Sequence, residues 1–168
     1  MMDNAFAIIN NDLALDLLQR VLDMSSNFFE KLVLDLLLHM GYGGKIKELA
    51  KVAPTSHDGG VDGIIPEDAL GLDKIYIQAK RYNKDNPVSR PEIQQFIGAL
   101  EEKKATKGVF ITTSKFTAGA IDSANKATKK IVLIDGDSLA NYMIEYNVGV
   151  SKKKIYYVKK LDSDYFEE

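Results

Sequence analysis

Two stretches decide the fold: Asp58-Gly-Gly-Val-Asp62-Gly63 and, after a turn, Ile75-Tyr-Ile-Gln78-Ala-Lys80-Arg81. Side chains alternate along a strand, so Ile75, Ile77 and Ala79 share one face and Tyr76, Gln78 and Lys80 the other. The first face reads as core. An amide and an ammonium two residues apart on the second predict that this face meets solvent or a ligand. Asp62, on the preceding strand, lies beside Gln78 if the two strands form a hairpin.

An aspartate, an amide and a lysine converging in this way suit phosphodiester hydrolysis. A divalent cation such as Mg²⁺, or Mn²⁺ in its place, prefers oxygen ligands; Asp62 and the Gln78 amide oxygen are the candidate metal ligands, with water and phosphate completing the shell. Lys80 would orient the attacking water or neutralise the transition state. Gly59, Gly60 and Gly63 would let backbone approach a bulky substrate. Each residue also has a plainer reading: Asp62 as a turn carboxylate, Gln78 and Lys80 as a solvated strand face. Asp58 is either a ligand or a solvated turn residue, and His57 reads as a loop histidine.

Upstream, residues 4–22 show Phe6, Ile9, Leu13, Leu17 and Val21 at helical spacing, which predicts an amphipathic helix. Ser25, Ser26 and Asn27 offer caps for a second helix over about residues 26–40. Its extra leucines (Leu34, Leu37, Leu38) predict burial on more than one side. Glu30 is either the end of a capping box from Asn27 or, with Ser25 as cap, a residue one turn inside that faces the sheet. His39 closes that helix, where its charge is favourable. Lys45–Val52 reads as a strand, 54–60 as a loop and Val61–Ile65 as a short strand.

Downstream, Lys74–Tyr82 is a strand, and Pro91 opens a helix over 91–104. Gly108–Thr113 and Ile131–Ile134 read as buried, parallel strands. Helices follow at Thr117–Lys129 and Asp137–Tyr146, and Lys154–Val158 reads as a last edge strand before an acidic tail. Hairpin strands first and helix-separated strands later give an α/β fold: a mixed central sheet with helices on both faces. Thr112-Thr113-Ser114-Lys115 leads into a helix N-terminus, which fits either a phosphate site or simple N-capping. Gln94, on the helix after the site strand, meets DNA or a catalytic water, or simply lies on a solvated helix face. Arg81, Gln94, Ser114 and Lys115 are the candidate DNA contacts.

Composition narrows the classes. The 168 residues are 45% hydrophobic and 27% charged with 4 prolines, which excludes a disordered chain. Cysteine is absent and histidine occurs twice, so thiolate and multi-histidine zinc chemistry are excluded. With no signal segment visible, this points to the cytoplasm, and no apolar run is long enough to span a membrane. Residues 1–73 hold 12 acids against 5 bases, and residues 74–161 hold 17 bases against 8 acids. The basic half would suit a polyanion or simply a solvated surface.

From Phe29 onward the sequence resembles the Mrr family of restriction endonucleases, within the PD-(D/E)xK nuclease superfamily. The likeness rests on Phe29-Glu30, Asp58-Gly-Gly-Val-Asp62-Gly-Ile-Ile65, Gln78-Ala-Lys80-Arg81, Pro91-Glu-Ile-Gln94-Gln-Phe96-Ile-Gly-Ala-Leu100 and Gly108-Val-Phe-Ile-Thr-Thr-Ser114-Lys-Phe116-Thr117. Ile131-Val-Leu-Ile-Asp-Gly136 and the Met143–Val150 block extend it. The resemblance implies a restriction-endonuclease-like αβββαβ core and a metal-dependent DNA endonuclease for modified, usually methylated, DNA. It implies catalytic roles for Asp62, Gln78, Lys80 and the helix glutamate Glu30. Val61 stands where the motif proline would be, and Gln78 where a second acid would be, so one ligating charge is missing.

The chain divides at residues 1–24, an N-terminal helix and linker, and 25–168, the nuclease domain. Members of this family usually carry an N-terminal domain that selects DNA, and too few residues precede the block here to form one. The expected partners are double-stranded DNA and a second copy in a homodimer, with no membrane. The alternative is a non-catalytic DNA-binding module that keeps the fold.

Overall fold

The computed structural model describes residues 2–43, 51–52, 60–155 and 157–167. Among these residues five α-helices and five strands follow in the order α1 (Met2–Leu22), α2 (Ser26–His39), β1 (Lys51–Val52), β2 (Gly63–Pro66), β3 (Lys74–Lys80), α3 (Arg90–Glu102), β4 (Lys107–Thr112), α4 (Ala118–Lys126), β5 (Lys130–Ile134) and α5 (Gly136–Glu145), with a short 3-10 turn at Asp164–Phe166. The strands form one sheet in sequence order. β1, β2 and β3 pair antiparallel, while β3, β4 and β5 pair parallel. The mixed sheet expected from the sequence is present, with β3 at its centre.

Alternation along β3 builds two cores, one on each face. Ile75, Ile77 and Ala79 join Val109, Ile111 and Ile134 beneath α1, α2 and α5. Tyr76 and Phe110 pack on the other face with Phe96, Leu100 and Ala120 of α3 and α4. On the second face Tyr76 and Lys80 are partly exposed, but Gln78 is only 2% exposed, so of the two expectations for this face, solvent or a ligand, the solvated one fails at Gln78. Burying each large side chain of these cores stabilises the fold by about 1.5–3 kcal/mol.

Helix α2 starts where expected. Ser25 is its cap and accepts from the Phe28 backbone at 3.1 Å. Phe29, Leu32, Val33, Leu34, Leu36 and Leu37 are all buried, because α2 is enclosed on more than one side. Gly63 carries no substrate role in its packing: a Cβ there would meet Leu34 Cδ2 at 3.1 Å.

Other expectations are corrected. On α1 only Leu17 and Val21 are buried, whereas Phe6 and Ile9 are exposed; the helix runs past the core formed with the ten-residue α5. α4 ends at Lys126, three residues before the pattern suggests, because Ala127 turns to extended backbone. Of the expected edge strand over Lys154–Val158, the described residues Lys154, Ile155, Tyr157 and Val158 are exposed and lie in no strand. Of the expected strand over 45–52, Lys51–Val52 is seen and 45–50 lie outside the described residues, as do His57, Asp58 and Gly59. Among the described residues no helix is long and apolar enough to cross a membrane.

Candidate active site

The antiparallel register sets Gly63 against Ile77, so Asp62 comes level with Gln78. The Asp62 N–H donates to Ile77 O at 2.7 Å, which extends the ladder one residue and fixes the carboxylate's direction. Gln78 Nε2 donates to Asp62 Oδ2 at 2.6 Å and the Ala79 N–H donates to the same oxygen at 2.7 Å. Among the described residues neither donor reaches Oδ1. The Gln78 Oε1 atom is buried and has no hydrogen-bond partner.

Gly60 explains how that amide oxygen stays clear. It holds a positive φ of 92°, and a Cβ there would stand 3.3 Å from Gln78 Oε1. Positive φ and the close approach both favour glycine.

Burial pushes the Asp62 carboxyl above its ordinary pKa, against the Ala79 hydrogen bond and the Lys80 charge, which pull it down. Glu30, half-buried on α2, is likewise raised, first by burial and then by repulsion from Asp62, while Lys80 opposes both. Two carboxylates and one ammonium therefore share one electrostatic field. Glu30 is in the position that the Ser25 cap allows, one turn inside the helix.

An unpartnered buried amide oxygen beside a carboxylate with a free oxygen is a donor set that a hard divalent cation fits. Asp62 and Gln78 would hold such an ion, with Glu30 adding charge. Among the described residues no group of three or more histidine, aspartate or glutamate side chains is placed to hold a metal. Water and substrate oxygens would have to complete the shell.

The threonines and serine after β4 form a clamp on the end of β3. Thr112 Oγ1 donates to Lys80 O at 2.8 Å; Thr113 Oγ1 donates to Tyr82 O at 2.7 Å and accepts from Tyr82 N at 2.8 Å. Ser114 Oγ donates to Lys84 O at 3.2 Å, and the residue is only 2% exposed. Ser114 thus belongs to the clamp, while Lys115 is exposed. Thr117, not these hydroxyls, caps α4 by accepting from Ala120 N.

Arg81 points away from Lys80, and its NH1 donates to Leu22 O at 2.7 Å, at the last turn of α1. A cation is favourable at a helix C-terminus. Gln94 is exposed on α3.

One network was missed in the sequence. Tyr82 Oη donates to Glu92 Oε1 at 2.6 Å, and Ser89 donates to Glu92 Oε2 through N and Oγ at 2.8 and 2.9 Å. Burial alone would raise Glu92, but these bonds and the Lys80 charge hold it below its ordinary value. Tyr82 is pushed up to about 12 by burial and by Glu92. The signal was legible as Ser89-Arg-Pro-Glu92, a capping-box spacing beside Pro91.

Residues 21–143 match the family model described as restriction endonuclease, Mrr_cat. The chain is 48% identical over 166 residues to the type IV methyl-directed restriction enzyme EcoKMrr of Escherichia coli (strain K12), a match covering 99% of this chain and 53% of the relative. The chain therefore spans about half the length of that relative. Among solved structures, the DNA modification-dependent restriction endonuclease AspBHI superposes with a TM-score of 0.62 at 18% identity, over 83% of this chain and 36% of that one. The MspJI restriction endonuclease, in complex with a 27-mer oligonucleotide, gives 0.60 at 24% identity, over 81% and 33%. Both share the fold.

Proposed function

The chain belongs to the Mrr catalytic family of restriction endonucleases, and from that premise we propose that it is the DNA-cleaving part of an enzyme directed at modified, methylated DNA. The observation that carries this reading is the pairing of Asp62 with Gln78, which leaves the buried Gln78 Oε1 without a partner next to a carboxylate that feels the Lys80 charge.

In this reading Asp62 and Gln78 would hold Mg²⁺, or Mn²⁺, and Glu30 would add negative charge on the helix side. When bound, the ion would neutralise charge developing on the scissile phosphate and acidify a water. Lys80 orients that water and offsets the charge of the pentacovalent phosphate. The Thr112–Thr113 clamp fixes the backbone at Lys80, so the ammonium is positioned before substrate arrives. Lys115 and Gln94, both exposed, contact the DNA backbone, whereas Arg81 and Ser114 hold the site strand through protein carbonyls.

Cutting both strands calls for two such centres, so a homodimer is part of this reading. In this reading selection of the modified base falls to a separate recognition domain. A restriction role implies a cytoplasmic site of action. Supercoiled plasmid incubated with the chain and Mg²⁺ tests the activity. Conversion to open-circular or linear DNA, abolished by EDTA, is expected; plasmid left intact at all Mg²⁺ and Mn²⁺ concentrations would overturn it.

A further inference from the structure

Strand β5 closes one side of the sheet: the strand order ends with it, and among the described residues no strand lies beyond it. The register fixes which of its backbone groups face outward. Lys130 pairs with Lys107, and the Lys130 N–H donates to Thr106 O at 2.9 Å. In a parallel ladder such a residue directs both its N–H and its C=O to that neighbour, and the next residue directs both the other way. Lys130, Val132 and Ile134 therefore bond to β4, while Ile131 and Leu133 present N–H and C=O at the outer edge. Among the described residues no backbone group from outside the sheet bonds to Ile131 or Leu133.

An open edge is a template for another strand, and native edges are blunted by charge, proline or a bulge. Ile131-Val-Leu-Ile134 holds no charge and no proline. Val132, in its middle, is 47% exposed although alternation puts it on the same face as Ile134, which is 6% exposed. The core that covers Ile134 ends short of Val132.

Parity and charge together select a second copy of this same strand. Antiparallel pairing about a two-fold axis at Val132 sets Ile131 opposite Leu133 of the second copy. Both present outward groups, so each such pair exchanges both main-chain hydrogen bonds. Val132 meets its counterpart on the axis as a non-hydrogen-bonded pair, where side chains come closest. At both ends Lys129 stands opposite Asp135 of the second copy. Asp135 Oδ1 caps α5 by accepting from Ser138 N at 2.8 Å, which leaves Oδ2 for the lysine. No neighbouring charge opposes this register: Lys130 stands opposite Ile134, Lys126 is held by Asp122 at 2.9 Å, and Asp137 has turned into α5. Moving the axis to Ile131 or Leu133 keeps the parity but sets Asp135 opposite Ala127 or Ile131, both apolar.

We propose that β5 of one copy pairs antiparallel with β5 of a second copy about an axis at Val132, joining the two sheets into one. The contact uses the same patch on both copies, so it closes on itself. Main-chain hydrogen bonds supply the affinity, and the Lys129–Asp135 pairs fix the register. The surface serves the homodimer of the nuclease reading, but its argument is the edge itself.

Light scattering and hydrogen exchange of the full chain test this from roughly 1 to 500 μM, the range for a contact smaller than the roughly 1,200 Å² of a standard interface. The mass should rise toward twice the monomer. Exchange at the Ile131 and Leu133 amides should slow with it by about tenfold or more, while the Val132 amide, already bonded to β4, should not change. Val132→Lys and Val132→Asp each set like charges on the axis, and each should leave a monomer. Mixed one to one they should form a dimer, which a folding defect would not permit. A monomer at every concentration would overturn the proposal, as would a mixture that stays monomeric. So would protection of Ile131 and Leu133 independent of concentration, the sign of cover within one chain, or a Val132→Lys protein that dimerises like wild type. Mass and exchange are read without DNA, so the result is separate from whether the chain cleaves it.

Discussion

Gln78 donates its amide proton to Asp62 Oδ2 at 2.6 Å and keeps its own Oε1 buried without a partner. An amide can do both. A glutamate at 78 would set a second carboxylate against Asp62 with no proton between them, except where a cation or a bound proton intervenes. Gln78→Glu should therefore lose stability by about 1–3 kcal/mol in EDTA and recover it when Mg²⁺ or Mn²⁺ is added. Calorimetric titration should show tighter metal binding for Gln78→Glu and weaker binding for Gln78→Ala, each by about tenfold. Equal affinity in all three proteins would remove Gln78 from the ligand set.

Asp62 and Glu30 both have raised pKa values, and the sign of the stability effect follows. A carboxyl that holds its proton more tightly when folded than when unfolded makes the metal-free fold gain stability as pH falls through the raised folded value toward the unfolded one. That contribution is lost again as pH rises. Asp68, Glu92 and Asp122 are shifted the other way, so the total curve mixes signs. The difference between the wild type and Glu30→Gln isolates the term. In EDTA, thermal denaturation should find Glu30→Gln more stable than wild type at neutral pH, with the gap closing as the solution is acidified into the ordinary carboxylate range.

Much of this site was legible before the structure. Strand alternation placed Asp62 beside Gln78, and the Ser25 cap left Glu30 free to approach. The burial of Gln78 was not legible, because its neighbours Asp62 and Gly60 come from another segment, and a single strand's alternation carries no information about what lies over it. The clamp was hidden for a related reason: the parallel register that sets Thr112 beside Lys80 links residues far apart in sequence. Thr112 to Ser114 look the same in sequence whether they cap a helix or tie a strand. The C-terminal edge strand was read from propensity alone, and propensity by itself does not make the described residues of Lys154–Val158 a strand.

The clamp makes its own prediction. Thr113 makes two hydrogen bonds to Tyr82 with one hydroxyl, and Thr113→Val keeps the shape while removing both. The Tyr82 N–H and C=O would be left without that partner, at a cost of about 1–3 kcal/mol. Because the clamp positions Lys80, kcat should fall while KM for DNA stays near wild type. Urea unfolding and steady-state nicking rates measure the two effects. Lost stability with unchanged kcat would confine Thr113 to holding the fold.

Binding to DNA should be governed by salt more than by sequence. Bases outnumber acids in residues 74–161, and phosphate contacts position a protein without reading bases. Fluorescence anisotropy with Ca²⁺ in place of Mg²⁺ should show affinity dropping steeply with ionic strength. Methylated and unmethylated duplexes of one length should bind alike. A tenfold preference for methylated DNA, about 1.4 kcal/mol, would mean that this chain itself reads the modification.

The most direct measurement of the central claim, that Asp62, Gln78 and Lys80 form a cleaving centre, is the nicking rate of supercoiled plasmid with Mg²⁺ for wild type, Asp62→Asn and Lys80→Ala. Asparagine retains an acceptor for Ala79 N, so Asp62→Asn should stay folded by circular dichroism. Both variants should lose at least about 10²-fold in rate while binding DNA as the wild type does. Wild-type nicking in either variant, with the fold intact, would contradict the account.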